Sequence, residues 1–296
     1  MLNAGLSLEQ ALTTMTNADK RTSPVVIQVA KRMLPMVRSG QSLSASGRRS
    51  QLFDRFDREL MHTAEQSGSV GTALERLAEW HQGRLRRANR IKAGLYLPAG
   101  VLVLGAFVGP LPALIGGQLS AGGYLWHVFW FLGRIAVLAW LLWQLPGWLR
   151  SRQAEWLDTM RIRMPIFGQW HVRRETLAVL DAFEMLYSAG MPADRALAIA
   201  ADNATNGFIR ESFDDTHARL GQGVPLGEAF AAGEYLTSRT KQFVTSGDSA
   251  GALTDMLRRN QDLESKEIEA FDEQVANWVP RAVYAVVAGW LITNIL

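Results

Sequence analysis

The sequence predicts an all-α membrane protein with two repeated cytoplasmic helical bundles and three transmembrane helices. Charge is scarce in three long apolar segments, while the polar segments before and after the first two resemble each other. No window alternates apolar and polar residues for long enough to argue a strand. The 296 residues are 48% hydrophobic and 20% charged, so the average composition conceals this partition between apolar and polar segments.

The first apolar segment, 95–115, contains no charged residue. A hydrocarbon core of about 30 Å needs about 20 apolar residues at the rise of a helix, so this segment is long enough to span a bilayer. A short uncharged link, 116–123, leads to a second run, 124–149, and the two predict an antiparallel hairpin. A third apolar run, 275–296, ends the chain and predicts a third span.

The basic residues that flank the hairpin predict its orientation. Cationic flanks stay in the cytoplasm, so we expect both polar segments there and the C-terminus on the opposite side. A basic run directly beside a span is typical of an anchor on anionic lipid, and we expect no direct contact with nucleic acid. The flanking residues are Arg84, Arg86, Arg87, Arg90 and Lys92 before the hairpin, and Arg150, Arg152, Arg161 and Arg163 after it.

Arg134 is a cation within the second apolar run. A charge deep in lipid costs about 2.5 to 3.5 kcal/mol on insertion scales. A tilted span over about 126–149 would let the side chain reach the interface. The alternative is a functional role, either a contact with a partner's carboxylate in the membrane or the substrate site of a small transporter or channel.

The polar segments contain an internal repeat. Gly40-Gln-Ser-Leu43 matches Gly223-Val-Pro-Leu226, and at the same offset Glu65-Gln-Ser-Gly68 lies over Asp248-Ser-Ala-Gly251. Nearer the start of each copy Gly5 lies over Gly190. The offset there is two residues larger than between Gly40 and Gly223, so one insertion or deletion of two residues separates the two matching blocks. The register places the first span over the third, so the second is an extra span that returns the chain to the cytoplasm.

The predicted domains follow from this repeat: a first bundle (1–94), the transmembrane hairpin (95–149), a second bundle (150–274) and a third transmembrane helix (275–296). In the second bundle, apolar spacing and helix-breaking residues predict helices at 175–188, 193–202, 208–220, 225–230 and 236–246. A last helix begins at Leu253 and continues into the third span. The first copy has no counterpart of 175–185, so we expect it to lack its opening helix.

The sequence offers no catalytic, cofactor-binding or metal-binding constellation. It has no cysteines, which excludes thiolate catalysis and Cys-based zinc sites. The segment 247–251 fits G-x-S-x-G with Ser249 as nucleophile, but that elbow needs a preceding strand, so a hydrolase is a rival interpretation to a corner between helices. The acidic run 262–273 lacks the glycine and spacing of an EF-hand. We therefore expect no enzymatic activity, no cofactor and no metal.

The remaining candidate site is a pair of equivalent corners between helices, 65–68 in the first copy and 248–251 in the second. Each carboxylate stands three positions before a glycine and just ahead of a long helix. One interpretation is helix capping, in which a carboxylate accepts backbone N–H groups for about 1 kcal/mol. The other is a docking site for a partner, and the two are compatible. The candidate residues are Glu65, Gly68, Asp248 and Gly251.

At these corners the chain resembles the F-domain family of type II secretion and type IV pilus assembly. Each repeat of that family carries a G-E-x-[ST]-G-x-L corner followed by a long helix. The segment 247–253 follows it with Asp for Glu and Ala for the hydroxyl residue, while 64–70 keeps Glu, Ser and Gly. The family's P-x-F-G entry to the second repeat is matched by Pro165-Ile-Phe-Gly168, and its G-[VM]-P turn by Gly190-Met-Pro192.

The resemblance implies a multi-pass platform protein of the bacterial inner membrane, with a periplasmic C-terminus and no chemistry of its own. It implies a cytoplasmic assembly ATPase, pilin or pseudopilin subunits, other inner-membrane assembly proteins and the lipid bilayer as partners. A transporter is disfavoured because transporter repeats consist mainly of spans. We also expect a homo-oligomer, because small residues let helices pack closely in the membrane: Gly100, Gly105, Gly109 and Gly289.

Three departures from the family pattern stand out. We expect the first copy to lack an opening helix and any N-terminal extension. The segment 40–47 is more degenerate than its counterpart 223–230. We expect the third span to stop at Leu296 without the family's usual trailing segment. These departures predict a truncated, divergent or specialised member.

Overall fold

The computed structural model describes residues 7–17, 24–50, 52–150, 155–164 and 167–295, and in these residues the regular structure is entirely helical. The all-α prediction is therefore confirmed. In chain order the helices are α1 (Leu8–Thr16), α2 (Pro24–Arg38), α3 (Leu43–Arg49), α4 (Arg55–Ser67), α5 (Val70–Val108), α6 (Leu111–Ile115), α7 (Ala121–Arg150), α8 (Glu155–Arg163), α9 (Phe167–Ser188), α10 (Ala193–Ala201), α11 (Gly207–Gly221), α12 (Leu226–Ala231), α13 (Ser238–Ala250) and α14 (Leu253–Ile295).

The helix bounds reproduce the sequence repeat. In the register that places Gly40 over Gly223, helices α2 and α4 coincide at both ends with α11 and α13, and the first residues of α5 and α14 coincide as well. In the register that places Gly5 over Gly190, helix α1 coincides with α10 at both ends. The duplicated element is therefore a series of five helices, and the internal repeat is confirmed.

The chain divides into two compact units. The first unit consists of residues 1–82 and 162–266, so it contains the polar part of both copies. The second unit consists of residues 83–161 and 267–296. Helices α5 and α14 contribute residues to both units. The domain limits expected from the sequence stay a prediction.

One hydrophobic core in the first unit contains side chains from both copies. Helix α9, the opening helix of the second copy, contributes the inaccessible Val179, Phe183 and Leu186. The Phe183 ring packs at 5.4 Å from Phe230 and 5.8 Å from Tyr187, between ring centroids. Within unit 1, α9 contacts α4 of the first copy as well as α10 and α11 of its own. Its apolar side chains therefore stabilise the contact between the two copies.

The predicted end of the helix over 236–246 is wrong. Helix α13 continues through Gly247 to Ala250, and the chain leaves it at Gly251, whose φ is +65°. Gly247 is buried inside the helix, where a Cβ would lie 2.9 Å from the Cα of Leu253 and 3.0 Å from the Cβ of Met256. The glycine therefore permits close packing of α13 against the start of α14.

Two positions show how the copies have diverged in the core. Phe53 packs its ring over Gly47, where an added Cβ would overlap the ring. The equivalent residues of the second copy are Phe230 in place of Gly47 and Leu236 in place of Phe53, both buried. The large aromatic side chain has thus exchanged places with a smaller residue between the copies, and each arrangement fills the space.

Among the residues that the structure describes, no helix combines the length and the apolar character needed to cross a membrane.

The three predicted spans fall on α5 with α6, on α7 and on α14, and they stay a prediction. The segment 95–115 is not one continuous helix, because α5 ends at Val108 and α6 begins at Leu111. Pro110 lies between them and Pro112 follows, and proline lacks the N–H that a continuing helix requires. Of the predicted entry motif to the second copy, Pro165 and Ile166 lie outside the described residues.

Candidate functional site

In the first copy, the carboxylate of Glu65 lies at the N-terminus of the short helix α3. It accepts hydrogen bonds from the backbone N–H of Leu43, from the backbone N–H of Ser44 at 3.4 Å, and from the Ser44 hydroxyl at 2.7 Å. The first N–H groups of a helix have no partner within it, so a carboxylate here satisfies them and complements the helix dipole. Glu65 therefore ties the end of α4 to the start of α3.

In the second copy, Asp248 makes the equivalent contact with α12. Its Oδ2 accepts a hydrogen bond of 2.7 Å from the backbone N–H of Gly227. A Cβ at Gly227 would lie 3.1 Å from the Cα of Thr245 and 3.2 Å from Asp248 Oδ2, so the helices approach closely here. The shorter carboxylate is thus matched by a glycine, whereas the longer Glu65 reaches a serine at the equivalent position.

Each corner ends on a glycine in the left-handed region. Gly68 has φ +72° and closes α4, while Gly251 has φ +65° and closes α13. Side chains with a Cβ rarely adopt this conformation. The long helices α5 and α14 begin almost at once after these glycines. The four candidate residues thus form two separate corners, and each carboxylate caps the short helix that precedes its own helix rather than the long helix that follows.

A cleft of about 380 Å³ opens beside the first corner. It lies where the end of α4, the start of α5 and helix α1 come together. Its lining mixes small, apolar and hydroxyl side chains with one carboxylate: Leu8, Leu43, Glu65, Gly68, Ser69, Val70, Gly71 and Thr72. This concave surface surrounds the first candidate corner.

Replacing Glu65 with Ala is expected to lower the free energy of unfolding by about 1 to 2 kcal/mol, because the N–H groups of α3 lose their cap. The same replacement at Asp248 should cost about 1 kcal/mol, since one hydrogen bond is lost. Urea titration of the full chain in detergent measures both. Glu79→Ala, at an exposed position on α5, is the control, and equal losses at all three sites would contradict the capping role.

A buried carboxylate joins the two copies. Glu184 on α9 is 2% exposed, and both of its oxygens accept from Arg76 Nη1 at 3.0 Å. Its Oε1 also accepts from Arg258 Nε at 2.9 Å. Arg76 belongs to α5 and Arg258 to α14, so one carboxylate binds both long helices. Arg76 also donates to the Ser188 hydroxyl at 2.8 Å.

Glu184 was not among the candidate residues predicted from the sequence. The visible signal was a carboxylate at a position of α9 flanked by Phe183 and Met185, within the apolar pattern used to predict the helix. A buried carboxylate requires paired cations, but the sequence does not indicate which arginines supply them. Two more ion pairs join the copies at exposed positions, Arg55 with Asp202, and Arg195 with Glu59 at 2.9 Å.

A second polar contact fixes α4 to α5 in the first copy. Asp57 is 4% exposed, and its Oδ1 lies 3.3 Å from His81 Nε2. Burial raises the pKa of the Asp57 carboxyl, the nearby Asp54 adds to the rise, and His81 opposes it. At the equivalent positions the second copy has Thr240 and Glu264, so only the first copy has an Asp–His pair here.

Because the pKa of Asp57 is raised on folding, its contribution to stability is present below the unfolded pKa of about 3.9 and is lost as the pH rises through the folded value. The free energy of unfolding of the wild type, relative to that of Asp57→Asn, should therefore fall as the pH rises above about 4. Unfolding titrations at stepped pH measure this difference. A difference that rises with pH would contradict the raised pKa.

Arg134 lies on α7 in the second unit, and its side chain is exposed. Its guanidinium carbon stands 5.0 Å from the ring centroid of Trp130, which stacks on Trp126. This is a cation–π contact. Ser249 of the G-x-S-x-G segment lies inside α13, where its hydroxyl donates to the carbonyls of Thr245 and Ser246. It is therefore not at the strand-to-helix turn of a hydrolase elbow.

In the part of the chain that the structure describes, no group of three or more His, Asp or Glu side chains could hold a metal ion. The polar side chains that the fold brings together instead link helices. The corners link α4 to α3 and α13 to α12, and Glu184 links α9 to α5 and α14. These contacts position helices rather than a reacting group.

Comparison with known proteins gives one consistent result. The family model for protein F of the type II secretion system matches residues 1–116 and 179–295, once for each copy. The chain is 23% identical to type II secretion system protein F of Vibrio cholerae, over 99% of this chain and 76% of that protein. It is 25% identical to type IV pilus assembly protein PilC of Thermus thermophilus, over 94% of this chain and 72% of that protein. It is 24% identical to type II secretion system protein F of Pseudomonas aeruginosa, over 91% and 71%.

The two family matches cover more than half of the chain and coincide with the two copies of the helical repeat, so this chain belongs to the family of type II secretion system protein F.

Proposed function

We propose that this chain is a platform protein of a type II secretion or type IV pilus system. It couples a cytoplasmic assembly ATPase to the polymerisation of pilin or pseudopilin subunits, without catalysis of its own. The observation that carries the proposal is that each corner leads directly into a long continuous helix, α5 with 39 residues and α14 with 43. A partner that binds and moves a corner would move the whole helix that begins there.

The proposal places residues 95–115, 126–149 and 275–296 in the bacterial inner membrane. The support is the scarcity of charge in these segments, with none in 95–115, Arg134 alone in 126–149 and Arg281 alone in 275–296, together with the basic flanks of the hairpin. The N-terminus and the first unit are then cytoplasmic, and the C-terminus is periplasmic. The proposed partners are the ATPase, pilin or pseudopilin subunits, other inner-membrane assembly proteins, further copies of this chain and lipid.

Glu184 supports the coupling part of the proposal. Because its carboxylate binds arginines of both α5 and α14, a displacement of one long helix is opposed unless the other follows. The carboxylate of each corner caps the preceding short helix, which holds the corner against that helix as the surface that a partner would contact. The cleft beside Glu65 is the proposed docking surface in the first copy.

In-membrane crosslinking and pull-down from the native host, with mass spectrometry of the bound proteins, tests the proposal. We expect to recover a hexameric ATPase and a pilin-like protein. Thr72→Arg places a bulky cation on the cleft without removing a cap, and it should reduce recovery of the ATPase while the pilin-like protein is retained. Glu79→Arg on the same helix is the control. Recovery of neither partner with the wild type would contradict the platform role.

The transporter alternative has its own test. A platform protein moves no solute. On this proposal Arg134→Leu should leave solute flux unchanged, and any effect of the variant should be on fibre assembly or secretion. Solute flux through membrane vesicles containing the purified chain is the measurement. Loss of flux in the variant with normal fibre assembly would favour a transporter or channel.

A further inference from the structure

The two copies present opposite charges at equivalent surface positions. Lys31 and Arg32 on α2 are exposed, and the equivalent positions of the second copy are Asp214 and Asp215 on the exposed face of α11. The two helices have matching bounds, so these pairs occupy the same places in the two copies. Among the described residues Lys31, Arg32 and Asp215 have no ion-pair partner, and Asp214 has only a 4.0 Å contact with Arg210.

The basic pair lies on α2, which contacts α3, and we define the basic face as the exposed cations and large apolar side chains on these two helices and just after α3. It adds the exposed cations Arg48 and Arg49 at the end of α3. It also adds two large apolar side chains in water, Val25 at 66% exposure and Leu52 at 47%. Exposed apolar side chains rimmed by charge are typical of a surface that another protein covers.

Asp215 of the acidic pair lines a depression of about 360 Å³ between α11 and the turn after α12, which we call the acidic cleft. Glu211, Asp215 and Glu234 line it with Tyr235. The pKa of the Tyr235 phenol is raised by burial and then by the carboxylates of Glu234 and Glu211. The ring and the carboxylates thus share one negative environment, which suits a cationic partner surface. Arg219 also lines the cleft.

We propose that the basic face of one copy of this chain docks into the acidic cleft of a second copy. Electrostatic complementarity selects this partner and this register, because pairing like faces would oppose like charges. A second copy supplies both faces in equal number, and docking would cover Val25 and Leu52 against a cleft that contains an aromatic ring. The inference rests on the homo-oligomer of the proposed function and not on the ATPase.

Because the chain has no cysteine, disulfide crosslinking reports this contact without background. Gln28 and Glu211 are equivalent exposed positions, one beside the basic pair and the other in the acidic cleft. Full-length copies with different tags, one with Gln28→Cys and the other with Glu211→Cys, are co-expressed in the membrane and oxidised. We expect a crosslink between the two tags. A crosslink confined to two Gln28→Cys copies, or no crosslink between folded chains, would overturn the proposal.

Charge exchange provides the matched test. Reversing the basic pair alone (Lys31→Asp with Arg32→Asp), or the acidic pair alone (Asp214→Lys with Asp215→Lys), should lower the crosslinked fraction about fivefold or more. Mixing the two reversed chains should restore it, since the reversed faces again complement each other. The same variants are passed through the ATPase pull-down. If the charge-reversed variants lose ATPase recovery while their crosslinked fraction stays unchanged, the acidic cleft binds the ATPase, and the docking of a second copy is overturned.

Discussion

Replacement of Phe183 with Ala is expected to lower the free energy of unfolding by about 3 to 5 kcal/mol, the range for a fully buried aromatic ring. The side chain is inaccessible to solvent, and its ring packs on Phe230 and Tyr187. The cavity would open where α9 holds the core shared by both copies, so little collapse is possible. Urea unfolding of the full chain in detergent measures the loss.

Leu263→Ala on α14 is the control for Phe183→Ala. This leucine is 37% exposed, so its truncation should cost less than about 1 kcal/mol. A loss below about 1 kcal/mol for Phe183→Ala would mean that the core of the first unit is not packed around α9.

Glu184→Ala is expected to cost about 3 kcal/mol, since removing one partner of a buried ion pair leaves the other charge uncompensated. Arg76 retains 22% exposure and Arg258 47%, so water relieves part of the cost, and the low end of the usual range applies. Beyond stability, the variant should weaken the link between α5 and α14. Urea unfolding measures the first effect, and pilus assembly or secretion in the native host measures the second.

Glu59→Ala is the matched control for Glu184→Ala. The Glu59 carboxylate also joins the two copies, through an N–O distance of 2.9 Å to Arg195, but both side chains are more exposed. Surface ion pairs contribute less than about 1 kcal/mol. Equal losses for the two variants would contradict the view that burial makes Glu184 the principal polar link.

Local pattern predicted most helix ends of the second copy, although the helix expected over 175–188 begins earlier, at Phe167. The helix over 193–202 was observed at Ala193–Ala201, and the last helix begins at Leu253 as expected. Proline, glycine and apolar spacing fix such bounds because they act within a few residues. The same reasoning was wrong at Gly247, because a glycine required for close helix packing is indistinguishable, in one sequence, from a glycine that ends a helix.

The site was harder to predict because its contacts are between distant residues. Helix capping was one of two interpretations of Glu65 and Asp248, but the sequence did not indicate that they bind the starts of the short helices α3 and α12, which precede their own helices. Glu184 contacts Arg76 across 108 residues and Arg258 across 74. Spacing rules for caps and helix faces hold over one or two turns, so partners at such separations follow only from the tertiary fold.

The shared helix bounds of the two copies show which property of the chain is constrained. Between them, a basic pair has become acidic, an aromatic residue has changed place and a Glu–Ser contact has become Asp–Gly, while α2 and α4 keep their lengths. One inserted residue would rotate every later side chain of a helix by about 100°, turning Glu65 away from the end of α3. The side chains at equivalent positions can therefore differ in size and charge between the copies, whereas the length of each helix and the orientation of its side chains must be kept.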